Sequence, residues 1–299
     1  MTEPPPAEGS RSLADAFEAQ RPRLRRLAYA ATGSVAEAED CVQEAWLRLS
    51  RLPDPGTIAD LPAWLTTTVS RLALDALGSA RARRERAAGP WLPEPLVTDP
   101  RTADPADQVT LDEHVSMALL VVLERLSPAE RTAFVLHDVF ELEFSEIAAV
   151  VGRTPEAVRQ LASRARKHVR AGQPRFPTTA TEQAQIVTAF AGACANGDLG
   201  QLTTLLDPGV AWRADGGGKV RAAPVLAHGA QDVARLLLGL ARRGPAQVRM
   251  VLVNGAPGLL VRDADQVLSV IALTVDAGRI TAIDIIRDPD KLTTTTGLT

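Results

Sequence analysis

Residues 143–170 read EFSEIAAVVGRTPEAVRQLASRARKHVR, and the fold of the chain turns on this stretch. The apolar run before Gly152 predicts a short helix, and glycine suits the left-handed residue that closes one. Thr154 is placed to cap a second helix, Pro155 fits its first position, and Glu156 faces the positive end of its dipole. Within that helix Val158, Leu161, Ala162, Ala165 and Val169 form one inner stripe. The outer face carries Arg159, Gln160, Ser163, Arg164, Arg166, Lys167 and Arg170. Helix, glycine turn and a second helix with a basic outer face predict a helix-turn-helix. Arg159 and Gln160, near the start, can make bidentate contacts to base edges in the major groove; the Arg and Lys farther along suit phosphates. The competing reading is a structural hairpin with a solvated basic face, against which the caps, the turn and the charge placement all agree.

The rest of the chain must be consistent with such a reader. At 299 residues it has room for two or three domains. With 45% hydrophobic and 23% charged residues it has the composition of an ordinary soluble protein. A net charge of −3 argues neither for nor against nucleic acid, since a basic face can be cancelled elsewhere. Cys41 and Cys194 are far apart and make neither a disulfide framework nor a metal knuckle. His114, His137, His168 and His228 have no ligand spacing with them, so no metal and no cofactor is expected. MTEPPPAEGS lacks the basic and apolar regions of a signal peptide, and no apolar run nears the roughly 20 residues that span a bilayer. A cytoplasmic protein with no membrane partner is the expectation.

Residues 12–80 read as helices. From Ser34, an N-cap, apolar residues at Val35, Ala38, Val42, Ala45, Trp46 and Leu49 keep the 3.6-residue period. Glu37, Asp40, Gln43 and Glu44 share the opposite face. A loop, LPDPGTIADLP (52–62), precedes a helix with Trp64, Leu65, Val69, Leu72 and Ala76 inward, running into the basic RARRER (81–86). A linker follows, and within it lies WLPEPL (91–96), whose tryptophan and leucine would gain nothing undocked. After about residue 182 an amphipathic helix and helical segments at 198–206 and 230–243 give way to alternating runs: QVRMVLV (247–253), GLLVR (258–262), QVLSVIALTV (266–275) and RITAIDIIR (279–287). Asp276-Ala277-Gly278 supplies a tight hairpin connection. Helices followed by a sheet predict a separate α+β domain.

EAEDCVQEAWLRL (37–49), LPAWLTTTVSRLALDAL (61–77) and the basic run resemble region 2 of the sigma-70 family, in particular its small extracytoplasmic-function class. Residues 111–170, with LERLSPAERTAFVLHDVFELEFSEIA ahead of the recognition helix, resemble region 4. VAWRADGGGKV (210–220), WLPEP and the end DPDKL (288–292) resemble a subgroup with a fused SnoaL-like domain, where Asp288 stands in place of an Asn. The resemblance implies sigma region 2 over 10–88, a linker over 89–110, region 4 over 111–172 and the SnoaL-like domain over 173–299. The implied fold is two all-α sigma domains plus an α+β cone with a curved antiparallel sheet.

The resemblance also implies roles. Glu37, Asp40, Gln43 and Glu44 would bind the coiled coil of the large RNA polymerase subunit. The 52–62 loop and the helix from Trp64, with Thr67, Arg71, Arg81, Arg83 and Arg84, would melt and hold the −10 element, as trapping bases out of the stack requires. Arg71 stands where the family often has Asn. Arg159, Gln160, Ser163, Arg164, Arg166 and Lys167 would read the −35 element. The implied partners are polymerase core and promoter DNA, with the free protein a monomer and no chemistry of its own. WLPEPL is expected to be an internal ligand of the third domain: Trp91, Leu92 and Glu94 docking near Asp215, Gly216, Gly217, Gly218 and Lys219, with Lys219 pairing with Glu94 or capping carbonyls.

Two other classes compete. A ligand-responsive helix-turn-helix repressor accounts for 143–170 and a small-molecule ligand in the C-terminal domain, but leaves 37–77 without a purpose. A SnoaL-like enzyme on a DNA tether would draw on Asp215, His228 or Asp284 as acid or base. GGGK is not a phosphate loop, because the GxxxxGK[ST] spacing is absent and Val220 follows the lysine.

Overall fold

Ser34 begins α2 as its composition predicts, its hydroxyl accepting a hydrogen bond from the Glu37 amide at 3.3 Å. The computed structural model describes residues 8–84, 90–101, 115–174, 176, 178–220, 227, 229–242, 244–293 and 295, leaving aside the side chains of 8–12 and 80–84. Its helices in chain order are α1 (Glu8–Thr32), α2 (Val35–Ser50), α3 (Leu61–Arg84), α4 (Met117–Leu123), α5 (Pro128–Phe134), α6 (Phe144–Val151), α7 (Pro155–Gly172), α8 (Ala180–Asn196), α9 (Leu199–Leu205) and α10 (Ala230–Ala241). The strands are β1 (Val97–Thr98), β2 (Leu206–Asp215), β3 (Gln247–Val253), β4 (Ala256–Arg262), β5 (Leu268–Asp276) and β6 (Arg279–Ile286). Two compact units result: residues 1–83 with 124–168, and residues 84–123 with 169–299.

In the first unit, α1, α2 and α3 bury Leu24, Leu27, Ala38, Val42, Ala45, Leu49, Leu65 and Val69. Phe17 and Trp46 add a tilted ring pair at 5.0 Å. In the intervening loop Asp54 caps a 3-10 turn and Asp60 stands before α3, accepting hydrogen bonds from the Gly56 and Ala63 amides. Ser127 and Glu130 close a capping box at the start of α5, which passes into a single π-helical turn, Val135–Val139. Arg131 on α5 is 2% exposed, pairs with Glu124, and approaches the Ala30 carbonyl of α1 at 3.4 Å. A guanidinium so buried ties α5 to α1, because removing a partner would strand a charge at a cost of about 3–5 kcal/mol.

The second unit is built on a six-stranded open sheet, ordered β1-β3-β4-β5-β6-β2. The sequence leads one to expect an antiparallel sheet, but β2 lies parallel to β6, with Arg213 opposite Asp284. Parallel pairing of distant segments leaves no hairpin signal, so nothing local announces it. The Ala277-Gly278 connection is as expected for a hairpin, with φ of 49° and 76°, and Asn254-Gly255 makes a second with φ of 48° and 76°, the positive values a type I′ turn needs.

Alternation along the strands separates two cores. Val210, Trp212, Leu259, Leu273, Ile283 and Ile285 face α8, α9 and α10, which bring Phe190, Leu202 and Leu237. On the other face Val251, Val253, Leu260, Val270, Ala272 and Ile286 meet Leu92 and Val97 of the linker, Met117 and Val121 of α4, and Leu292. Helix α4, inside the stretch that resembles region 4, thus packs with the sheet.

Candidate nucleic-acid interface and linker site

The helix-turn-helix is formed by α6 and α7. Gly152 takes φ 67° and its amide bonds to the Ala148 carbonyl, closing α6. Thr154 accepts a hydrogen bond from the Ala157 amide at 3.3 Å and starts α7. Val158, Leu161, Ala162, Ala165 and Val169 are buried, so the inner stripe is as expected. Arg159, Gln160, Ser163, Arg164 and Lys167 are exposed. Arg166 differs: it is half-buried and its Nε lies 2.5 Å from Asp138. Arg164 lies 3.8 Å from Glu130. The Glu130 carboxyl is held below its usual range, chiefly by the Ser127 hydroxyl, with Arg164 contributing.

On α2, Asp40 and Gln43 are exposed, Glu37 is half-buried, and Glu44 pairs with Arg48 at 2.8 Å. Cys41, absent from the expected stripe, is buried there; burial foremost and then Glu37, Asp40 and Asp75 push its thiol up to about 12. On α3, Trp64 and Thr67 are half-buried and Arg71 is exposed, its guanidinium donating to the Ala149 carbonyl of α6 at 2.8 Å. Thr66, beside Thr67 on α3, is 4% exposed and accepts from Arg23. The side chains of Arg81, Arg83 and Arg84 lie outside the described residues.

The linker site gathers WLPEPL, the 215–219 segment and the DPDKL end in the second unit. Leu92 is 1% exposed. Its amide donates to Asp215 Oδ2 at 2.8 Å, and its carbonyl accepts from Lys291 Nζ at 2.6 Å. Lys291 also bonds Asp215 Oδ2 at 2.6 Å and lies over the Trp91 ring, 4.1 Å from its centroid. Asp215 Oδ1 accepts the Gly217 amide. Gly217 has φ 61°, and a Cβ there would collide with the Asp288 carboxylate, so glycine is required twice over.

Lys219 corrects an expectation. It pairs with Asp290 rather than Glu94, and that pairing raises its pKa. Glu94 is itself buried. The lysine that engages the linker is Lys291. Further along, Val97 and Thr98 pair with β3, and Asp99 binds Arg101 and Arg249; the hydrogen bonds from Arg101 foremost lower its pKa. Asn254 holds two separate points of the chain: its amide and side-chain Oδ1 bond Leu96, and its Nδ2 donates to the Val115 carbonyl at 3.1 Å. Sequence reading missed Lys291 and Asn254, although DPDKL and the Asn-Gly turn were visible signals.

The acid–base candidates are committed elsewhere. Asp215 serves the linker, and Asp284 is fully buried against Arg213, at 2.5 and 2.9 Å. Burial raises the Asp284 pKa, with Arg213 opposing. His228 lies outside the described residues. Among the described residues no cluster of three or more His, Cys, Asp or Glu could hold a metal, and no helix is long and apolar enough to cross a membrane.

Residues 16–83 match sigma-70 region 2, and residues 116–169 match sigma-70 region 4. The ECF RNA polymerase sigma factor SigJ of Mycobacterium tuberculosis is 45% identical over 290 residues, covering 93% of this chain and 92% of that protein. The probable ECF RNA polymerase sigma factor SigI of the same organism is 39% identical over 93% of each. The crystal structure of M. tuberculosis SigJ superposes with a TM-score of 0.77 at 41% identity, covering 94% of this chain and 98% of that one. The chain belongs to the extracytoplasmic-function sigma factors of the sigma-70 family, the subunits that direct RNA polymerase to specific promoters. The C-terminal sheet domain is a fused addition to two helical sigma domains.

Proposed function

We propose that this sigma factor is regulated by its own C-terminal domain, which captures the linker between regions 2 and 4. The observation that carries the reading is Leu92, buried and held by its amide on Asp215 and its carbonyl on Lys291. A segment stiffened by Pro93 and Pro95 loses little entropy on docking, and burial of Leu92 contributes about 2 kcal/mol. The linker is thus the ligand of this domain, and a small molecule would act by competing with it. No catalytic step is assigned to the chain.

The remaining roles follow from exposure and charge. Arg159, Gln160, Ser163, Arg164 and Lys167 read the −35 element, with Arg166 bracing the helix through Asp138. Trp64, Thr67, Arg71, Arg81, Arg83 and Arg84 serve the −10 element. Glu37, Asp40, Gln43 and Glu44 bind polymerase core. The Arg71 bond to Ala149 occupies a −10 residue, so it has to break when promoter DNA is engaged. The free protein acts as a cytoplasmic monomer.

The test is transcription from a promoter pool by bacterial core polymerase with the full chain, Trp91→Ala and Asp215→Asn. Promoter-specific transcripts whose yield shifts in the same direction with both variants support linker capture. Wild-type yield from both refutes it. Tight duplex binding without core, and no transcripts, would favour the repressor.

A further inference from the structure

We infer that Phe144 is a positioning residue for promoter reading: an aromatic platform that orients Arg159 toward a −35 base. This rests on the assignment of Arg159 to the −35 element. Phe144 is the first residue of α6 and half-buried, and the Arg159 guanidinium lies over its ring, 5.1 Å from the centroid. The ring is itself fixed. His137, in the π-helical turn, stacks on it with centroids 4.0 Å apart and planes at 30°. The His137 ring is held in turn by a 2.9 Å bond from Nδ1 to the Leu142 carbonyl, in which Nδ1 donates. A chain of contacts therefore runs from the backbone at Leu142 through two rings to an exposed guanidinium.

Arg159, Arg164 and Arg166 on the outer face are held by different chemistry. Arg166 and Arg164 face the carboxylates of Asp138 and Glu130, which compete with DNA for their N–H groups. Phe144 offers Arg159 a quadrupole, which attracts the charge without supplying an oxygen acceptor. A guanidinium positioned this way keeps its N–H fork for a base edge, and bidentate reading of guanine needs that fork. Less side-chain freedom then has to be lost on binding. Arg164 and Arg166, with acceptors already facing them, suit backbone phosphates better than bases.

The experiment measures preference for each base at every −35 position, using full-length protein with core polymerase and a randomised promoter pool. Arg159→Ala should abolish the preference at one position. Phe144→Leu should weaken preference at that same position by about threefold, the scale of an exposed cation–π contact, and leave the other positions unchanged. Phe144→Tyr should retain it, and Phe144→Leu should add nothing in the Arg159→Ala background. If Arg159→Ala acts at one position while Phe144→Leu acts at none, or at all equally, the platform is refuted. If Arg159→Ala changes no position, the assignment of Arg159 fails and the platform with it. Thermal unfolding of each variant identifies any that simply misfold, and Phe144→Trp then replaces Phe144→Leu, with a shift confined to the Arg159 position expected and a uniform change counting against the platform.

Discussion

The ammonium of Lys291 sits 2.6 Å from the Asp215 carboxylate, and both groups hold Leu92. Asp215 is 3% exposed, so water cannot stand in for that ammonium. Lys291→Met keeps most of the side-chain volume and strands the carboxylate. The expected loss is about 3 kcal/mol of stability in the second unit. Urea unfolding should show it, together with faster proteolysis within 90–101; an unchanged midpoint would contradict the role given to Lys291.

Asn254 should behave as a clasp. Asn254→Gly preserves the positive φ of the turn and deletes the side-chain bonds to Leu96 and Val115. Leaving those backbone groups without the side chain costs about 1–3 kcal/mol. Hydrogen exchange at the Leu96 amide should accelerate more than at Val251 in the middle of β3. Equal protection in both proteins would remove the clasp.

Gly217 and Gly218 both have positive φ, yet only the first has a neighbour where a Cβ would go. Gly218→Ala should cost about 1 kcal/mol from backbone strain alone. Gly217→Ala must in addition displace Asp288, and should lower the melting temperature distinctly more. Equal effects would mean that Asp288 moves aside freely.

Acid titration offers a check on α5. Glu130 ionises below its usual range because the Ser127 hydroxyl and Arg164 favour the carboxylate. A lowered folded pKa stabilises above the unfolded value, and that stability disappears as pH falls through the folded one. Ser127→Ala should therefore cost about 1 kcal/mol at neutral pH. The difference from wild type should shrink on acidification below the ordinary glutamate range. A pH-independent difference would show that the capping box is not the cause.

Both thiols should be silent. Cys41 and Cys194 are pushed up to about 12, foremost by burial. At pH 8 a thiol reagent should modify the folded protein slowly and the urea-unfolded protein at once. Rapid labelling of the native chain would show that one of these helices opens readily.

What could be read from the sequence was local. The Ser34 cap, the left-handed Gly152, the inner stripe of α7 and the Asp276–Gly278 hairpin each depend on neighbours within a few residues. Strand β2 was not read as a strand, although Val210, Trp212 and Ala214 alternate, going to one core while Ala211, Arg213 and Asp215 take the other face. Its pairing was not legible either, because β6 lies some 70 residues on and pairs in parallel. The same distance defeated the pairing of Lys219. Asp290 and Glu94 are equally plausible acceptors on charge alone, and only the tertiary path brings Asp290 within reach. The π-helical turn at 135–139 left no mark that periodicity could register.

The packing of α4 has a consequence for protein engineering. Promoter specificity is naturally transplanted by exchanging a whole homologous segment, here 116–169. That cut would carry Met117 and Val121 away from Val251, Val270 and Ile286, and install a donor's side chains in the recipient's core. Truncation after residue 172 makes the reciprocal error, baring Leu92, Val97 and Met117. A graft confined to 128–168 leaves that core whole, and is the exchange from which a working chimera should be built.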